Sequence, residues 1–175
     1  ARRVTRQRRF TKLLFWALFP ALLAWLAPAI VAHTPLRQTL VDQAAGKIDG
    51  KVVVGGASFG WLSPVKLYDV RVSDRKGEPV AAVESIATSR TLAGLLLNRR
   101  DPGAIVLEKP SVRVVMRRDG TNVEDLLVKM LAEPSSPGEP TPIAVEIYRG
   151  ELECVDAETD RTWKFAPFDA SLILP

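Results

Sequence analysis

Gly56-Ala57-Ser58-Phe59-Gly60 has the G-x-S-x-G spacing of a nucleophile elbow, in which a serine on a tight turn attacks a carbonyl carbon. That chemistry needs a helix directly after the serine and a histidine base further along the chain. Here Trp61-Leu62-Ser63-Pro64 follows, and the one histidine, His33, precedes the serine. The hydrolase reading is set aside, and the glycines are assigned to a bulge or bend between strands. One histidine and one cysteine, Cys154, are too few for a zinc site and exclude an internal disulfide. Asp119-x-x-Asn122 is too sparse for a calcium loop, and a capped turn accounts for it. Cys154 has the phase of an apolar strand face and reads as a small packing residue. No catalytic constellation, metal site or cofactor site remains, and a non-enzymatic protein is expected.

The stretch that organises the chain is Leu13 to Ala32, twenty residues in which no side chain can ionise. At about 1.5 Å per residue it matches the roughly 30 Å hydrocarbon core of a bilayer, and it is read as a transmembrane helix. Leu13, Trp16, Phe19, Leu22, Trp25 and Ile30 are its anchoring side chains. Pro20 and Pro28 are tolerated because a helix in lipid has no water to turn to, so it kinks rather than unravels. Arg2, Arg3, Arg6, Arg8, Arg9 and Lys12 precede it with no acidic residue, which by the positive-inside rule keeps residues 1–12 in the cytoplasm and exports the rest. A cleaved signal peptide is the rival reading, since Ala27-Pro28-Ala29 has the shape of a cleavage site. The run exceeds the roughly 7–15 residues of a signal-peptide core, which favours an uncleaved anchor.

The net charge of +4 comes from that tail: six of the 24 basic residues and none of the 20 acidic ones lie in residues 1–12, leaving 18 against 20 in the body. A near-neutral body without a basic stripe gives no footing for nucleic acid. The chain begins at Ala1 and closes on the apolar run Ser171-Leu172-Ile173-Leu174, and it is expected to be part of a longer protein.

Beyond the anchor, Thr34-Pro35 reads as a capped helix start, with Leu36, Leu40, Ala44 and Ile48 four residues apart on one face and an end at Gly50. This amphipathic helix is expected to cover one edge of the following domain or to lie on the membrane surface. From Lys51 the period changes to two. Val52 and Val54 share a face, as do Val65 and Leu67, but Val70 and Val72 have the opposite parity, which a bulge near Asp69 would correct. Val80 to Thr88 is a weaker strand with Val83 and Ile86 out of phase. Leu92, Leu95 and Leu96 mark a short helix. Ile105 and Leu107 alternate, Pro110 interrupts, and Val112, Val114 and Met116 alternate again. Thr121-Asn122 caps a helix over Val123 to Ala132, residues 134–142 form a linker or long loop, and Val145 and Ile147 begin further strands. The last of these are Trp163 to Phe165 and Ala170 to Leu174.

The fold class is therefore mainly β with α: a membrane helix, an amphipathic helix, then an open-ended, curved antiparallel sheet with one wet face. Its parts are the basic tail 1–12, the span 13–32, a first β-rich module 33–133, the linker 134–142 and a continuing sheet 143–175. Val52, Val54, Val65, Leu67, Ile105, Leu107, Val112, Val114, Val145 and Ile147 are the apolar face.

A basic tail, one anchor, Phe59-Gly-Trp-Leu-Ser-Pro-Val-Lys-Leu-Tyr-Asp-Val-Arg-Val-Ser-Asp74, Arg90-Thr-Leu-Ala-Gly-Leu-Leu96, Leu107-Glu-Lys-Pro110 and Asp119-Gly-Thr-Asn122 come in this order. Together they resemble the start of the AsmA-like, TamB-type family over nearly the whole chain. The resemblance implies an inner-membrane-anchored periplasmic protein of a diderm bacterium, whose sheet curls into a groove. Such a groove would carry phospholipid acyl chains between the membranes in outer-membrane biogenesis, with an outer-membrane or periplasmic protein partner. Two readings stand at this stage: an open, lipid-conducting groove lined by the ten residues above, or a non-catalytic scaffold or interaction module in which the same face is a closed core.

Overall fold

In the computed structural model, residues 2–98, 101, 103–132 and 142–174 are described, with side chains described at all of these but 2–15, 17, 130, 131 and 174. Helix α1 (Arg2–His33) is followed after two residues by a second helix, α2 (Leu36–Ala44), which tightens into a 3-10 turn at Ala45–Lys47. The strands are β1 (Gly50–Ser58), β2 (Pro64–Asp74), β3 (Pro79–Thr91), β4 (Ile105–Arg117), the two-residue β5 (Gly120–Thr121), β6 (Ile143–Asp156) and β7 (Arg161–Leu174). Helix α3 (Leu92–Leu97) follows β3, and α4 (Asn122–Ala132) follows β5.

The seven strands form one open sheet in the order β1-β2-β3-β4-β6-β7, with β5 folded back on the end of β4. The fold is mainly β with some helix, but it is not uniformly antiparallel. β4 and β6 run parallel, Ile105 opposite Val145 and Val114 opposite Cys154. A parallel pair needs a crossover of a dozen or more residues, and β5, α4 and the segment after it supply one. The expected linker at 134–142 falls in that crossover and, apart from Pro142, lies outside the described residues.

The boundary expected between residues 12 and 13 is not a structural one, because α1 continues through it. Among the described residues no single helix is long and apolar enough to cross a membrane. Leu18–His33 and Leu36–Lys47 meet that requirement only as a pair, bent by 79° at the break. The hydroxyl cap expected at Thr34 does not form. α2 starts without a side-chain cap, and Thr34 contributes its carbonyl to the Arg37 amide at 3.2 Å. α2 also stops earlier than Gly50, which opens β1 instead.

α4 is capped as its sequence requires. Thr121 Oγ1 accepts from the Glu124 amide at 3.1 Å while Glu124 Oε2 accepts from the Thr121 amide at 2.7 Å, a reciprocal capping box. Trp163 to Phe165 and Ala170 to Leu174, expected as separate strands, are parts of the single strand β7.

One irregularity crosses the whole sheet. Regular pairing stops at Val54 with Val70 and resumes at Gly56 with Tyr68. It skips the same level between β2 and β3, where Asp69 and Glu84 would meet, and between β3 and β4, where Glu84 and Lys109 would meet. The β4–β6 ladder is interrupted at Lys109 and Arg149, and the β6–β7 ladder beside Arg149. Asp69, Lys109 and Arg149 carry φ values of 50°, 47° and 55°. Left-handed residues of this kind cost about 1–2 kcal/mol each for L side chains, so their alignment is a built feature rather than scatter. We call this line the crease. It reverses the in-out phase of every strand it crosses; the ladders from β1 to β6 keep their register through it, and the β6–β7 ladder shifts by one at Gly150 with Phe168 and then recovers.

Candidate functional site

The phase reversal decides which side chains share a face. Below the crease, Val54 faces Val70, Val70 faces Val83, and Val83 faces Pro110. Above it, Ala57 faces Leu67, Leu67 faces Ile86, and Ile86 faces Leu107. The parity conflict between Val65/Leu67 and Val70/Val72 is thereby resolved at Asp69, by a left-handed residue instead of a bulge with an inserted residue. Val83 and Ile86 fall into phase across Glu84, where the β2–β3 and β3–β4 ladders skip the same level without a left-handed residue in β3 itself. Continuing through the parallel pair, Leu107 lies beside Ile147, Ile105 beside Val145, and Val112 and Val114 beside Leu152 and Cys154. Val52, Val54, Val65, Leu67, Ile105, Leu107, Val112, Val114, Val145 and Ile147 therefore all lie on one face.

The sequence reading missed the far side of that face. Leu152, Phe165, Phe168 and Leu172 complete it, since Phe165 pairs with Leu152, Phe168 with Gly150 and Leu172 with Val145. Leu152 alternates with Glu151 and Glu153 as Cys154 does, so its apolar phase is legible in the sequence although it stands outside the ten residues. The β7 residues were obscured because Pro167 and the crease break their period.

Few of these side chains are deeply buried. Among the described residues the buried aliphatic side chains are Ala32, Val54, Val70, Val80, Leu126 and Val145, while Phe165 and Leu172 stay 57% and 48% exposed. α1 and α2 pack on β1 and α3 on β3, while α4 runs across one end of the sheet from β4 and β5 to the start of β1, where its Leu126 carbonyl accepts from the Asp49 amide at 2.8 Å. A closed domain core would bury many large side chains completely. Among the described residues none is so buried.

The opposite face is polar and paired. Glu153 on β6 accepts from Lys164 of β7 at 3.2 Å and lies 3.8 Å from Arg113 of β4. Ser85 donates to Glu108 at 3.2 Å. At the crease Lys109 pairs with Glu84, and this hydrogen bond, with the nearby Arg149 charge, holds the Glu84 carboxyl below its usual range. The Arg149 amide donates to Asp169 at 2.7 Å. A sheet wet on one side and apolar on the other is the result.

Side-chain amides seal two backbone edges. Val52 and Val54 turn their polar groups away from β2, and Gln38 of α2 meets both: Nε2 donates to the Val52 carbonyl at 2.7 Å and Oε1 accepts from the Val54 amide at 3.3 Å. Asn122 does the same for β4, donating to the Arg113 carbonyl at 2.9 Å and accepting from the Val115 amide at 2.8 Å. Asn122 is thus a buried edge cap in addition to being the first residue of α4. β1 is covered along part of its edge, whereas among the described residues β7 pairs only with β6.

α1 presents apolar surface along its described length. Trp16, Phe19, Leu22, Trp25 and Ile30 are all exposed, Trp16 by 77%. Leu13 and the basic residues Arg2, Arg3, Arg6, Arg8, Arg9 and Lys12 lie where only the helical backbone is described. His33 ends the helix with Nδ1 at 2.8 Å from the Ala29 carbonyl. Ser58 ends β1 opposite Lys66 and is followed by a loop. Cys154 is half-buried on the apolar face. Comparison of the chain with protein-family models, with curated proteins and with solved structures found no match.

Proposed function

We propose that this chain is the membrane-proximal part of an inner-membrane-anchored periplasmic protein of the AsmA-like type, and that its apolar sheet face conducts phospholipid acyl chains toward the outer membrane. The observation that carries the reading is the apolar face itself. It continues across six long strands through a crease that keeps it in phase, and the helices contact the sheet at its β1 edge and its ends, leaving most of its large side chains incompletely buried. In water such a face is unfavourable by about 25 cal/mol per Å², so something apolar must cover it, and acyl chains supply that cover without a defined shape. The sheet curves around them as a groove. The exposed apolar length of α1 supports its role as the span, with the basic tail in the cytoplasm and the sheet exported. The chemistry is transfer without catalysis, and a protein partner at the outer membrane would receive the lipid.

The test is a photo-crosslinking residue at Val114, on the apolar face, and at Arg113, one residue away on the polar face, in the full-length protein in cells. Phospholipid capture at Val114 and none at Arg113 is expected. Equal capture at both, or capture at neither, overturns the groove and favours a closed scaffold.

A further inference from the structure

Pro28 lacks an amide hydrogen, so the Ala24 carbonyl, four residues earlier in α1, has lost its helical donor. The Trp61 indole takes that place. Its Nε1 lies 3.1 Å from the Ala24 carbonyl and 3.1 Å from that of Trp25. Trp61 belongs to the loop between β1 and β2, and its own carbonyl accepts from the Ala93 amide of α3 at 3.2 Å. Loop and α3 are thus tied to the side of α1 within its uncharged run.

Both tied segments are themselves uncharged, from Val52 to Val65 and from Thr91 to Asn98. They also point apolar side chains outward: Leu62 is 77% and Leu97 89% exposed. α2 leaves α1 at a bend of 79°, which lays it nearly across the axis of α1, and its Leu36 and Leu40 are exposed as well. Between these elements lies a cleft of about 260 Å³ lined by Pro28 and Val31 of α1, Leu40 of α2, Phe59 and Trp61 of the loop, and Leu92 of α3, with no polar atom on its wall.

We propose that α2, the β1–β2 loop and α3 form a collar seated in the outer layer of the bilayer that α1 crosses, and that the cleft receives an acyl chain of that bilayer. The occupant follows from depth. Two hydrogen bonds fix Trp61 to α1 at residues 24 and 25, inside the run assigned to lipid, so the leucines beside it share that depth. At that depth in hydrocarbon an indole N–H needs a protein acceptor, and the two α1 carbonyls supply it. Arg99 and Arg100 follow the α3 stretch in the sequence and suit anionic headgroups, while Arg90 before it pairs with Asp101. The proposal rests on α1 being the span and adds that the end of the sheet, rather than a free tether, meets the membrane.

The test uses the full chain with Cys154→Ala, reconstituted in vesicles of phosphatidylcholine and phosphatidylglycerol whose acyl chains carry a nitroxide quencher. A fluorophore is attached in turn at Leu22→Cys on α1, Leu62→Cys, Leu97→Cys, and Lys76→Cys. Lys76 is in the turn at the other end of β2, about 33 Å away at 3.3 Å per residue. Quenching of at least twofold at 22, 62 and 97 and none at 76 is expected. Quenching at 22 with 62 and 97 as bright as 76 overturns the collar and leaves the span intact. Loss of quenching at 22 while 62 and 97 remain quenched overturns the span and retains the collar as a surface contact, and no quenching anywhere overturns both. Adding Trp61→Phe, which removes the N–H and keeps a smaller aromatic ring, should reduce quenching at 62 and leave 22 unchanged. Unchanged quenching at 62 overturns the tether.

Discussion

Replacing Gln38 by alanine removes both groups that complete the outer edge of β1. The bond to the Val52 carbonyl is 2.7 Å and that to the Val54 amide 3.3 Å. Neutral hydrogen bonds contribute about 0.5–1.5 kcal/mol each in net terms, so the pair is worth about 1–3 kcal/mol locally. At about 1.4 kcal/mol per tenfold, the Val54 amide should exchange with deuterium roughly 5 to 150 times faster in Gln38→Ala. Hydrogen exchange resolved over residues 50–58 measures this directly. The neighbouring Val53 amide is the internal control, because Val53 pairs with Arg71 and turns its polar groups toward β2. Alanine is the better helix former, which offsets the bond from Gln38 Nε2 to Asp42 that the substitution also removes from α2. Gln38→Glu should be intermediate at Val54, since a carboxylate still accepts from that amide but faces the Val52 carbonyl without a donor. Unchanged exchange at Val54, or equal acceleration at Val53, would refute the edge-sealing role.

Asp49 holds α4 to the start of β1: its carboxylate meets Arg75 and, at 3.1 Å, Lys129, while its amide donates to the Leu126 carbonyl at 2.8 Å. Burial pushes its carboxyl up, but the Arg75 and Lys129 hydrogen bonds and charges outweigh this and hold it below the ordinary carboxylate value. A lowered folded pKa means the contribution is complete above the unfolded value and disappears as pH falls through the folded one. Protection of the α4 amides should therefore decline on acidification below the usual carboxylate range, and Asp49→Asn should flatten that dependence; an unaltered profile would remove Asp49 from the account. Asp69 at φ 50° is tolerable because aspartate adopts this region more readily than most residues. Asp69→Val should cost about 1–2 kcal/mol and Asp69→Gly less than about 1 kcal/mol in denaturant midpoint measurements, and equal losses would argue against backbone strain at the crease.

The strands were legible because valine, isoleucine and leucine alternate with charged residues at a period that only an extended chain satisfies. Pairing direction was not legible. Alternation says which face a side chain takes, not which strand lies beside it, and so the parallel β4–β6 pair was missed. Pro110 read as an interruption, whereas it is a rung that follows the left-handed Lys109 within one continuous strand. Asp69 was found because it separates two runs of clear parity. Glu84 was not, because alanine and serine around it blur the pattern. Gln38 and Asn122 carried no sequence signal for their edge-sealing role. Gln38 meets backbone groups 14 and 16 residues away, and Asn122 meets groups 9 and 7 residues before it, so in both cases pairing with an extended chain is invisible to local propensity. Thr34 failed as a cap because its carbonyl, not its hydroxyl, is what the adjoining turn uses.

An ordinary sheet tolerates a slip of two residues, since every side chain returns to its own face and only the rung it occupies changes. The crease removes that freedom. A strand displaced by two would set its reversal against a regular rung of its neighbour, and the stretch between the two levels would point its valines into water and its charges into the apolar face. Asp69, Lys109 and Arg149 thus act as an address mark shared by the strands. Any further strand joining the free edge of β7 must break its alternation beside Asp169 to be accepted. Such a sheet can grow sideways over a long distance without the accumulated slippage that would misalign a continuous apolar track.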